Sequence, residues 1–195
     1  DVLLWTAAMA VAVPLVTGKR TPSLQQAATL SLVFILGAPY AFAAPAVIGG
    51  IGATVIAFLL ARRAIRTGFA VAAGAAASGA LFLGLALIVY WSQLDGAGMN
   101  QGGMGNYFNR IFAPFPPTSL GDLAWYAKFV DTTMQSLFGV EAAYLTLLLA
   151  LVGAVLMFSA RRWLLALLVS PLVIALLLSM AHIYPIMPRL ALYFI

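Results

Sequence analysis

The chain has 195 residues, 64% of them hydrophobic and 8% charged, with 10 Lys/Arg against 5 Asp/Glu and no cysteine. Its mean hydropathy is +1.06, whereas a soluble domain is about half apolar and about a quarter charged. This excludes an ordinary soluble domain, a disordered segment and a disulfide scaffold, and it reads as an integral membrane protein.

In chain order, the first apolar run covers 2–16 and ends at Gly18-Lys19-Arg20-Thr21-Pro22-Ser23, a turn with a helix-start signal. Residues 24–60 are apolar apart from Gln25 and Gln26, too long a stretch for one span. Pro39 and Pro45 interrupt it near the middle, and proline disfavours helix at the preceding residue. Two short helices joined by an apolar turn are expected. After Arg62, Arg63 and Arg66 comes a span at 69–91, then a polar stretch over 92–140. Spans follow at 142–159 and 163–180, separated by Arg161-Arg162, and a short link covers 182–189. The run 190–195 is the start of another. The expected fold is all-α: a polytopic transmembrane helix bundle of about five complete or nearly complete spans. It forms a single membrane domain over 1–195. Because apolar runs sit at both ends, the chain is expected to be a piece of a longer one.

The charges sort by link. Lys19, Arg20, Arg62, Arg63, Arg66, Arg161 and Arg162 fall in three alternate links that hold no carboxylate. Asp1, Asp95, Asp122, Asp131 and Glu141 all fall on the other side, with Arg110, Lys128 and Arg189. Cytoplasmic loops collect Lys and Arg, so the basic links are expected inside, and 39–45, 92–140 and 182–189 outside. Scattered cation pairs between apolar runs make no phosphate-tracking groove, so nucleic acid is not an expected partner; the lipid bilayer is.

No ionisable side chain falls mid-span, which counts against a pump or an ion channel. Any chemistry is expected at the outer face. There the glycine-rich stretch 95–105 lacks the preceding strand that a phosphate-cradling loop needs. Ser119, with Asp122 three residues on, forms a capping-box variant opening an amphipathic helix. Leu123, Tyr126, Phe129, Val130 and Met134 form its apolar side, and it is expected to lie along the membrane surface. Gly49, Gly50 and Gly52 and the small-residue run 72–80 permit close helix packing within one subunit. The link Ala181-His182-Ile183-Tyr184-Pro185-Ile186-Met187-Pro188-Arg189 holds the only histidine and an outward arginine. Arginine at a membrane surface suits a phosphate or a lipid headgroup, and a snorkelling arginine without a ligand is the alternative. No metal ligands stand out, although a divalent metal requirement stays open.

The pattern His-x-Tyr-Pro-x-x-x-Arg-Leu-x-Leu-Tyr-Phe, His182 to Phe194, resembles a motif near the C-terminal spans of bacterial polytopic glycosyltransferases of the GT-C type. These are related to protein mannosyltransferases and aminoarabinose transferases. The family often has Phe where this chain has Ile186. The segment 30–46 is similar to that family's paired short helices with an aromatic–proline turn, without its usual Trp and Ser. The aromatic and Pro-Pro stretch 107–125 is similar to its outer loop. The resemblance implies a bacterial inner-membrane enzyme taking a sugar from a polyprenyl-phosphate donor at the outer face. It implies that Arg189 lies near the donor phosphate, with Tyr184 and His182 lining the same pocket. It carries over no catalytic acid or base, because the family's essential carboxylate lies upstream of the residues matched here. A transporter or lipid flippase, or a structural subunit of a membrane complex, is the alternative.

Overall fold

A computed structural model describes residues 2–18, 22–40, 43–96 and 112–181, without the side chains of 89–96 and 136–143. Among the described residues five α-helices follow in order: α1 Val2–Thr17, α2 Leu24–Gly37, α3 Ala44–Ala61, α4 Ile65–Gly96 and α5 Leu120–Met180, with a 3-10 turn at Ala38–Tyr40 between α2 and α3. No strand occurs among the described residues. Three helical stretches are long and apolar enough to cross a membrane: Ala44–Ala61, Ile65–Ile88 and Tyr144–Met180.

The break expected between Pro39 and Pro45 is present. Pro39 sits within the 3-10 turn, and Pro45 occupies the first turn of α3, where a missing N–H leaves no hydrogen bond unmade. α2 opens on a reciprocal capping box: Gln26 N donates to Ser23 Oγ at 3.2 Å and Ser23 N donates to Gln26 Oε1 at 3.1 Å. α3 ends in a Schellman turn. Ala64 N donates to Leu59 O at 2.8 Å and Arg63 N to Leu60 O at 2.9 Å. This motif needs a left-handed residue just past the helix end. Arg63 takes that role at φ 58°, a conformation that costs a side-chain-bearing residue about 1–2 kcal/mol. α4 is longer than the expected 69–91 span: it starts at Ile65 and continues to Gly96, into the stretch read as polar loop.

The core lies where α1, α2, α3 and α4 converge around Leu15, Leu30, Phe34, Ile51, Val55, Leu59 and Val71, with Leu167 of α5 added to it. Small residues set the close approaches. A side chain on Gly74 would meet Ser31, whose Cα would lie 2.9 Å from the new Cβ. The Ser31 hydroxyl donates to Ala70 O across the same contact at 3.1 Å. On the other side of α3, a Cβ on Gly50 would stand 2.4 Å from Pro171 N and 2.6 Å from Pro171 Cα. Proline has no N–H to shield, so the two backbones meet there directly.

α5 is helical over all 61 residues, yet it does not run straight. At 1.5 Å per residue, Asp131 and Tyr144 would be about 20 Å apart on a straight helix. Their side chains are instead hydrogen-bonded, Tyr144 Oη donating to Asp131 Oδ1 at 3.2 Å. Tyr126 donates to Pro114 O, and the adjacent Ala113 N donates to Ser179 Oγ at 2.9 Å. Tyr126 and Ser179 would lie about 80 Å apart on a straight helix. The run therefore turns back once between Asp131 and Tyr144. It turns again before Trp163, since Ser179 returns to the end of the bundle that Tyr144 occupies. Residues 158–162 are exposed without interruption, as a turn would be. Arg161-Arg162 thus lies where the sequence separates two spans, although no break in helical hydrogen bonding marks it.

Candidate functional site

The second turn and the return limb divide the functional residues between two ends of the bundle. At one end, which we call the shelf, three separate stretches meet. The capping box expected at the start of α5 is present: Asp122 N donates to Ser119 Oγ at 3.2 Å, and Ser119 N donates to Asp122 Oδ2 at 2.9 Å. Thr118 N donates to the same carboxylate oxygen at 2.8 Å. That backbone hydrogen bond is the main reason the Asp122 carboxyl lies below its ordinary pKa, helped by the Ser119 hydroxyl and Ser119 N–H. These groups prefer the charged form, so Asp122 is a helix cap, not a proton donor.

The packed side of the shelf helix agrees with the expected one at Tyr126, Phe129 and Met134 and differs at three positions. Leu123 and Val130 are exposed, while Trp125 and Phe129 pack on Ala46 and Ala175. The rings of Trp125 and Phe129 stack at 5.4 Å and 3°, and Trp125 meets Tyr126 edge-on at 5.2 Å. The reason is the shape of the receiving surface. Two alanines, one from the start of α3 and one from the last limb of α5, leave a flat hollow that a pair of stacked rings one turn apart can fill. Lys128 stays exposed. The aromatic–proline stretch is locked down by Ala113 N–Ser179 Oγ and by Tyr126 Oη–Pro114 O. Ser179 is fully buried and 66 residues from Ala113, so nothing in the local sequence marks the pair.

Arg189, Tyr184 and His182, the residues singled out for phosphate or donor contact, lie outside the described residues. The helix that leads to them ends with Ala181 N donating to Leu177 O at 3.0 Å, two residues beyond Ser179. His182 follows directly in the chain. Of the other residues singled out at this face, Arg110 and residues 97–105 of the glycine-rich stretch also lie outside the described residues, while 95–96 close α4. No group of three or more His, Cys, Asp or Glu that could hold a metal occurs among the described residues.

The opposite end carries the basic links. Phe58 and Trp163 meet edge-on at 5.4 Å, and the Arg62 guanidinium lies over the Phe58 ring at 5.2 Å. A cavity of about 750 Å³ opens beside them, lined in part by Thr17, Phe158, Arg161, Arg162 and Trp163. The sequence pointed to the cations as a topological signal only. The cavity between them needs α1 and the second turn of α5 to come together, which no local pattern announces.

The fold and its two ends define the class: an all-helical bundle with three stretches fit to cross a membrane, aromatic at one end and cationic at the other. No protein family, curated protein or solved structure matches the chain.

Proposed function

We propose that the chain is a membrane-embedded glycosyltransferase of the GT-C type, acting on a polyprenyl-phosphate-linked sugar at the outer face of the bacterial plasma membrane. Its resemblance from His182 to Phe194 supports this reading. The observation that carries it is the shelf. The aromatic–proline stretch, the start of α3 and the end of α5 converge there, tied by Ala113 N–Ser179 Oγ, next to the chain position where His182 begins. Two of these, the start of α3 and the aromatic–proline stretch, belong to segments in which the sequence is similar to that family, and the third such segment, 182–194, follows the end of α5 in the chain.

In this reading α5 supplies two spans, 142–159 and 163–180, on either side of Arg161-Arg162. A single straight Tyr144–Met180 helix would extend about 55 Å against a hydrocarbon core of about 30 Å. α1, α3 and α4 cross as well, with α2 completing the hairpin with α3. The basic links face the cytoplasm by charge bias, and the shelf faces out.

The reaction is displacement at the anomeric carbon. The acceptor oxygen bonds to the anomeric carbon as that carbon's bond to the donor phosphate oxygen breaks, the phosphate leaves with the electron pair, and the proton lost by the acceptor hydroxyl passes to water. Arg189 meets the growing charge on the leaving phosphate by paired N–H donors. Tyr184 and His182 border the same pocket. In the full-length protein, Arg189→Ala should weaken donor binding by about 10-fold to 100-fold, the loss expected for a charged hydrogen bond. Unchanged donor binding and transfer would remove Arg189 from the site. Movement of the donor lipid across the membrane without sugar transfer would favour a flippase instead.

A further inference from the structure

The cationic end holds a feature that glycosyl transfer at the shelf does not use. The cavity of about 750 Å³ has one wall from α1, at Val16 and Thr17, and the other from residues 158–164 at the second turn of α5. Its size falls within the range of about 300–1,000 Å³ typical of small-molecule sites. Arg161 and Arg162 line it and are exposed. Arg62, held over Phe58, stands behind Trp163 through the Phe58–Trp163 contact. All five carboxylates of the chain lie in other links, so this end carries uncompensated positive charge. Phe58, Trp163 and the Schellman turn at Arg63 keep it in place.

The remaining question is what kind of anion fits. The cavity mouth is not purely polar. Phe158 lines it and is 70% exposed, and Val155 and Leu156, just before it on the same limb, are 69% and 66% exposed. An arginine pair with a tryptophan beside it, opening onto an exposed apolar helix, matches a molecule with a charged head and a hydrocarbon tail. Trp163 also has the amphipathic character of an interfacial anchor. Basic pockets between membrane helices on the cytoplasmic side suit anionic headgroups.

We propose that this cavity seats the headgroup of an anionic glycerophospholipid, its phosphate on Arg161 and Arg162 and its acyl chain along the exposed limb that ends at Phe158. The proposal rests on the membrane reading but not on glycosyl transfer. The phosphate accepts charged hydrogen bonds from both guanidinium groups.

The test is a titration of the purified protein in neutral detergent with dioctanoyl phosphatidylglycerol, bound lipid being counted by native mass spectrometry. Dioctanoyl phosphatidylcholine and inorganic phosphate serve as the comparison probes. Phosphatidylglycerol should bind and phosphatidylcholine should not. R161Q/R162Q should weaken phosphatidylglycerol binding about 25-fold, about fivefold for each surface cation, while K128Q at the shelf leaves it unchanged. Should R161Q/R162Q fail to fold, the wild-type protein still decides. High salt should release phosphatidylglycerol, because screening shortens the reach of an exposed charge. Equal binding of both lipids, or an unchanged affinity in R161Q/R162Q, would overturn the seat. Competition by inorganic phosphate at matching concentration would make it a free-anion site and overturn the lipid assignment.

Discussion

The two apolar limbs of α5 have similar composition and opposite surroundings. Along 163–180, Leu167, Pro171, Ala175 and Ser179 form a buried stripe at four-residue spacing, pressed onto α3 through Gly49 and Gly50. Along 144–158, Leu145, Leu148, Leu149, Leu151, Val155, Leu156 and Phe158 are all more than half exposed. Hydropathy alone cannot separate these limbs. What separates them is the partner opposite. Pro171 has no N–H and Gly50 opposite has no side chain, so two backbones meet there. The 144–158 limb also carries small residues, Ala150, Gly153 and Ala154, but Gly153 faces open space, and in a bilayer the leucines around it need no protein partner, since lipid tails are as apolar as leucine.

This contrast can be broken from either side. The largest effect is expected at the packed seam. Gly50→Leu places a side chain against the Pro171 backbone and should cost about 3 kcal/mol or more, seen as lost thermal stability in detergent. Gly153→Leu on the exposed limb meets open space and should leave the protein folded. Next is the exposed limb itself. Leu151→Arg should reduce membrane insertion by about 2.5–3.5 kcal/mol, the cost of arginine at a span centre, in a translocon insertion assay. Were residues 144–158 bathed in water, the same change would be tolerated. A smaller effect is expected where the packed limb meets the shelf. Ser179→Ala removes the acceptor of the buried Ala113 N–H and should cost about 1–3 kcal/mol. Hydrogen exchange at Ala113 would report it.

The smallest effect concerns the cap of the shelf helix. Asp122 has a folded pKa below its unfolded value, so its contribution to stability is full above the unfolded pKa. It is lost as pH falls through the folded one. Acid should therefore fray the helix start. Asp122→Asn should show a weaker acid transition there, read from local hydrogen exchange across the acid range.

Much of this arrangement was legible in the sequence where the cause is local. Pro39 and Pro45 marked the break between α2 and α3, and Ser119 with Asp122 marked the start of the shelf helix, because turn and cap chemistry act over three or four residues. Gly50 and Gly74 signalled close packing, but their partners, Pro171 and Ser31, were not legible. Nothing along the chain links positions so far apart. The face of the shelf helix was legible only in part for the same reason: Tyr126 and Phe129 do face the bundle, but Leu123 and Val130 are exposed and the hollow formed by Ala46 and Ala175 takes Trp125 instead. The Ala113–Ser179 hydrogen bond and the cavity at Arg161-Arg162 exist only once α5 has turned back twice.

In the proposed arrangement the shelf and the basic links lie on opposite sides of a membrane, with α5 crossing between them. The chain contains no cysteine, so single cysteines placed at Thr118 and Ser159 can be probed without background. In intact cells, a membrane-impermeant maleimide should label Thr118→Cys directly and Ser159→Cys only after permeabilisation. Labelling of both from the same side would contradict it.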